Sequence, residues 1–173
     1  MKRTTAALLL AAVLVGVVDS HVDWETVDGK GLINVSGVRF DPLGWGRDKA
    51  QMTRRDCAWY TSPSAQSDVG QSVLRAISRH SPPDSSRPRW HSALQDGQWL
   101  IAEVSFERLN PAVALLQRHG EQWRLHPKAI WSGSTEPWYP STRIRDHLMQ
   151  QAPEAPKGLI ACFTPEQDFR SLR

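Results

Sequence analysis

The sequence predicts an α+β fold, on three observations. Between residues 89 and 131, apolar and polar residues alternate and are interrupted by glycine turns. Two segments, about 67–80 and 142–151, carry helical spacing and helix-start signals. Short apolar runs flank them on either side. A run of strands with helices outside it, rather than strict β–α alternation, is the pattern of an antiparallel sheet with helices laid on it.

The central stretch contains an echo. Leu94-Gln95-Asp96-Gly97-Gln98-Trp99 is followed by Leu116-Gln117-Arg118-His119-Gly120-Glu121-Gln122-Trp123. In each, Leu-Gln enters a turn bearing a glycine and Gln-Trp leaves it. Asp-Gly between alternating strands is among the strongest short-range hairpin signals. Two hairpins in succession make a four-stranded antiparallel meander over about 89–131. Asn110-Pro111 ahead of residues 112–119, with Gly120 behind, also resembles a helix with its cap, first-turn proline and terminating glycine. The echo favours a strand. In the second strand Leu100, Ala102, Val104 and Phe106 occupy one face. The other face, Trp99, Ile101, Glu103 and Ser105, is apolar only near the turn, so one core-facing side with helices on it is expected. Pro127 cannot donate to a ladder and marks an edge or a bulge.

The remaining elements follow in chain order. Residues 21–55 form the least regular part, with a strand at Ile33–Val35 after an Asp28-Gly29 turn. Trp45, between Gly44 and Gly46, is expected to plug the core from a loop. Cys57 to Tyr60 reads as a short strand. The first helix is capped by Ser67, has Asp68 in its first turn and aligns Val69, Val73, Leu74 and Ile77 on one face. Ser81-Pro82-Pro83 stops it. The second helix is capped by Ser141 or Thr142 and aligns Ile144 with Leu148. Leu159 to Phe163, apolar throughout, reads as an interior strand. Residues 164–173 read as a polar tail that frays.

Residues 1–20 read as a signal peptide. Met1-Lys2-Arg3 is basic, Ala6 to Val18 is uncharged and apolar, and Val18 and Ser20 suit the −3 and −1 positions of a cut before His21. The apolar run falls well short of the ~20 residues that span a bilayer. Residues 21–173 are then one exported α+β domain, periplasmic or secreted, with no membrane span in the mature form. The two cysteines, Cys57 and Cys162, are expected to form a disulfide in that compartment.

The net charge of +3 at pH 7 comes from scattered basic residues, so nucleic acid is not an expected partner. The histidines show no HxxxH or HExxH spacing and there is no CxxC, so no metal or cofactor is expected. Gly29-Lys30-Gly31 and Gly44-Trp45-Gly46 lack the strand–helix context of a phosphate loop. No catalytic motif is present. The candidate binding residues are Trp131, Ser132, Ser134, Glu136, Trp138 and Tyr139. They combine rigid aromatic area with hydroxyls and a carboxylate, groups that fix the orientation of a sugar or of a partner's side chain.

These features point to a non-catalytic binding protein of the bacterial envelope, docking to another envelope or secreted protein as an immunity protein or inhibitor does. Two alternatives stand beside it. One is an enzyme acting on an envelope polymer, with Glu103 or Glu136 as general acid. The other is an accessory subunit of a secretion or conjugation machine, which would leave a large apolar patch exposed on the isolated chain.

Overall fold

A computed structural model of the chain describes residues 21–54, 56–83 and 87–170, without the side chains of Met52 and Arg54. The proposed signal peptide, and positions 171–173 of the tail, lie outside these residues.

Two antiparallel sheets are present, one of three strands and one of four. The first comprises β1 (Val22–Val27), β2 (Lys30–Val35) and β3 (Val38–Phe40), in that order. Its two turns, Asp28-Gly29 and Ser36-Gly37, have positive φ at both positions. That is the backbone of the type I′ hairpin, whose twist matches the flanking strands. Helix α1 (Pro42–Arg54) follows. Residues 21–54, within the part expected to be irregular, are therefore mostly regular, and Trp45 lies in a helix rather than a loop, exposed rather than plugging the core. Asp41 and Pro42 explain the helix. The Asp41 carboxylate accepts from the Gly44 backbone N–H at 2.7 Å, and proline suits a first helical position. These signals prevail over two helical glycines that cost about 1 kcal/mol each. A Cβ on Gly44 would collide with the Asp41 carboxylate, so that glycine makes room for the cap.

Helix α2 (Asp68–His80) has the expected cap, Ser67 Oγ accepting from Gly70 N at 3.1 Å. The second sheet is the expected meander: β4 (Arg89–Asp96), β5 (Trp99–Ser105), β6 (Ala112–His119) and β7 (Gln122–Ser132), in sequential order. Residues 112–119 form a strand. Edge strand β7 pairs Ile130 with Ala114 and Leu125 with Leu116, so residues 126–129 bulge opposite Leu115, with Pro127 inside the bulge.

Helices cover both faces of the meander, not one. Val73, Ala76 and Ile77 of α2 pack on Leu100, Ala102, Val104 and Leu116. Ile144 and Leu148 of α3 (Pro140–Gln151) pack with Leu159 and Ile160 of α4 (Lys157–Cys162) on Ile101, Val113 and Leu115. Helix α4 replaces the strand expected at 159–163. Its apolar residues point in every direction because it is wedged between sheet and helix, and a run this short carries no period that tells helix from strand. The N-cap of α3 is Tyr139. Thr142, expected as a cap, is in the first turn and donates back to the Tyr139 carbonyl at 2.9 Å.

Cys57 and Cys162 form a disulfide with Cα atoms 5.7 Å apart. The segment around Cys57, expected as a strand, is a turn, held by this bond and by a bridge between Thr61 and Gln95. No helix among the described residues is long and apolar enough to cross a membrane.

Candidate functional site

The residues at 131–139 differ in burial and in partners. Trp138 is 7% exposed, with the Lys30 ammonium 5.3 Å from its ring centre. It belongs to the contact between the three-stranded sheet and the rest of the molecule. Half-buried Trp131 meets the His147 ring edge-on at 5.3 Å and lies under the Arg143 guanidinium at 5.8 Å. Ser132 and Glu136 are exposed. Ser134 Oγ donates to the Arg170 carbonyl at 2.8 Å, and Thr135 N–H donates to the Phe169 carbonyl at 2.6 Å. Tyr139 lines a cavity of about 460 Å³ with Phe40, Trp45, Glu166, Asp168 and Arg170. The stretch thus contains a core tryptophan, holders of the C-terminal segment and one cavity residue, with Trp131 against α3 side chains and Ser132 and Glu136 exposed.

The C-terminal segment 164–170, expected to fray, is anchored. Phe169 is buried in the core. Glu103, fully buried on β5, accepts from Glu166 N at 2.8 Å, Gln167 N at 2.7 Å and Ser92 Oγ at 3.0 Å. Both carboxylate oxygens are occupied by donors, and the side chain has no solvent face at which to meet a polymer. Replacing Glu103 by Leu removes the acceptor of all three hydrogen bonds, at a cost of about 2–4 kcal/mol, less than the sum of ~1.5–3 kcal/mol per charged bond because the donors are only partly buried and water can replace the carboxylate. Hydrogen exchange is expected to speed up at the Glu166 and Gln167 amides first; unchanged protection there would refute the latch. Nearby, the Arg170 backbone N–H, with its guanidinium, holds the Asp168 carboxyl below its usual range against the opposing effect of burial. That small contribution is present above the ordinary carboxylate range and is lost as pH falls through the lowered value.

A serine–imidazole pair lies beside the latch. His91 Nε2 is 2.8 Å from Ser105 Oγ, and His91 Nδ1 is 3.2 Å from Gln167 Nε2. With the Gln167 amide nitrogen toward Nδ1, the ring hydrogen sits on Nε2 and is donated to Ser105. That is the reverse of what a serine nucleophile requires. Among the described residues no group of three or more His, Cys, Asp or Glu could hold a metal ion.

The surface that sequence reasoning missed is on the three-stranded sheet. Register places Val22, Val35 and Val38 opposite one another, and Trp24, Ile33 and Phe40 likewise. Since side chains alternate across a strand, all six share one face. On it Val38 is 71% exposed, Trp24 64%, Val35 44% and Phe40 41%. The Trp24 ring lies over Gly31, where a Cβ would collide with it. The opposite face carries buried Leu32, and Lys30 over Trp138, so it is turned toward the body. Exposed Leu43 and Trp45 of α1 follow Phe40 in sequence, and Trp45 shares the cavity wall with it. The alternation of Ile33 and Val35 was the available signal. It became a face only once the Ser36-Gly37 turn added β3.

The face is mounted rigidly. Asp41 Oδ2 accepts from Tyr139 N at 3.2 Å. Arg145, buried on α3, donates to Asp48 of α1 at 2.8 Å, to the Phe163 carbonyl at 2.6 Å and to Thr164 at 2.9 Å. Comparison with protein-family models, curated proteins and solved structures finds no match to this chain.

Proposed function

We propose that the protein is a non-catalytic binding protein of the bacterial envelope, exported by residues 1–20 and acting by docking to another envelope or secreted protein. The observation that carries this reading is the outward apolar face of β1–β3. Single exposed apolar residues are ordinary, but a contiguous set on one ordered sheet face is characteristic of an interaction surface. The Cys57–Cys162 disulfide suits an oxidising compartment. The same face favours a second reading, an accessory subunit held permanently in an envelope assembly, because permanent interfaces are the more apolar ones. A complex that survives purification would select that subunit; one that forms and dissociates on mixing would select an immunity- or inhibitor-like role.

The test is photo-crosslinking from position 38, with position 121 on the β6–β7 turn as control. A saturable adduct with one envelope protein is expected from position 38 and not from 121, and Trp24→Asp is expected to abolish it. Because Trp24 and Val38 are exposed, such changes should alter stability by no more than about 0.5 kcal/mol. Equal labelling from both positions would refute the reading. So would sedimentation as a homodimer that Trp24→Asp dissolves, which would give the face to a second copy.

A further inference from the structure

We infer that the cavity beside the apolar face receives a basic side chain, the ammonium or guanidinium of a lysine or arginine on the docking partner. The inference rests on the docking reading and names what the partner brings. Phe40, Trp45 and Tyr139 give the cavity of about 460 Å³ its aromatic wall, and Glu166 and Asp168 give it carboxylates. Arg170 also lines it, but its Nε is bonded to Asp168 Oδ1 at 3.1 Å. Glu166 is in no ion pair among the described residues, which leaves its carboxylate for a ligand. A cation gains from both wall chemistries at once, since aromatic faces and carboxylates each attract positive charge. An anion would meet two carboxylates against one guanidinium already paired with Asp168, and an uncharged apolar group would desolvate them without compensation.

The site is also built in advance. The backbone of Glu166 and Gln167 is fixed by the buried Glu103. Tyr139 N–H is fixed by Asp41, the residue next to Phe40. A ligand arriving there meets walls already in place, which lowers the ordering cost of binding. The protein uses the same pairing internally, with Lys30 over Trp138 and Arg143 over Trp131. Phe40 belongs both to the apolar face and to the cavity, so a partner segment lying on β1–β3 can place one basic residue in the cavity while its apolar residues cover the sheet.

The test titrates the full chain with N-acetyl-lysine-methylamide and N-acetyl-arginine-methylamide, against the uncharged norleucine analogue and tetramethylammonium. Binding is read from the backbone amide resonance of Tyr139, a cavity residue that every variant retains. The basic amides are expected to bind roughly three- to tenfold more tightly than norleucine, with Glu166→Gln and Trp45→Ala each weakening them by a similar factor. Both substitutions are at exposed positions, and their folding is checked by the unchanged remaining spectrum. Equal affinity for norleucine, or affinity unaffected by both substitutions, would overturn the inference. Tighter binding of tetramethylammonium would also overturn it, assigning the cavity to a small free cation. Failure here leaves the position-38 adduct intact, whereas failure of the docking reading removes that adduct with the cavity still binding its probes.

Discussion

Replacing Arg145 by Ala is expected to destabilise the protein by about 3–5 kcal/mol, the cost of breaking a buried ion pair from one side. The guanidinium is the junction of three chain segments. It donates to Asp48 on α1 at 2.8 Å, to the Phe163 carbonyl at the end of α4 at 2.6 Å, and to Thr164 at the start of the C-terminal segment at 2.9 Å. Both partners of the ion pair are almost entirely buried, with 2% and 4% of their side chains exposed. Truncation therefore strands the Asp48 carboxylate and the Phe163 carbonyl together. Arg145→Lys should recover little, because an ammonium is a single point of charge and cannot span donors aimed at separate segments. The double substitution Arg145→Met with Asp48→Leu should cost less than Arg145→Ala alone, since it removes both charges rather than one. Urea denaturation measures all of these. A loss below about 1 kcal/mol for Arg145→Ala would mean that water replaces the guanidinium and that the junction is weak. Limited proteolysis adds a local readout. Cleavage within residues 21–54 should rise in Arg145→Ala, because α1 loses the anchor that holds the apolar face in position.

How much of this could be read from the sequence depends on the range over which each determinant acts. The meander was legible because its information is local. Asp96-Gly97 and Gly120 specify turns, and alternation specifies faces. Helix α2 was legible for the same reason, with Ser67, Asp68 and the prolines after Ser81 marking its ends. Helix α4 was not, because its six residues are apolar on all sides and their conformation is decided by the space between α3 and the sheet. Helix α1 was obscured by its glycines, and the Asp41 cap that outweighs them also receives Tyr139 N–H, nearly 100 positions away. Glu103 is visible in the sequence as a carboxylate that follows Trp99 and Ile101 on one face. Its partners, the Glu166 and Gln167 amides, are contributed by a segment that looked like a loose tail. The stretch 131–139 stands out by composition, and composition does not distinguish a tryptophan that seals a contact, such as Trp138, from an aromatic ring that faces a cavity, such as Tyr139. The face on β1–β3 needs three strands in register before it exists at all.

Removing the disulfide with Cys57→Ala and Cys162→Ala is expected to cost about 4–5 kcal/mol, the chain-entropy value for a loop of roughly 100 residues, given a separation of 105 positions between the cysteines. For a chain of this size that corresponds to a fall in Tm of about 8–20 °C. The bond encloses α2, the whole meander and α3, so it restricts the unfolded ensemble over most of the fold. In the native state it ties only the turn at Cys57 to the end of α4. This asymmetry makes the mechanism testable beyond the magnitude. If the effect resides in the unfolded chain, the double variant should show a larger urea m-value, because its denatured state expands when the cross-link is gone. It should also fold more slowly, while its unfolding rate changes less. A comparable loss of stability with an unchanged m-value and a sharply faster unfolding rate would place the effect in native packing around Cys162 instead. Either way, a chain kept reduced should lose this stabilisation entirely, and the outward face of β1–β3 would then be carried on a substantially less stable molecule.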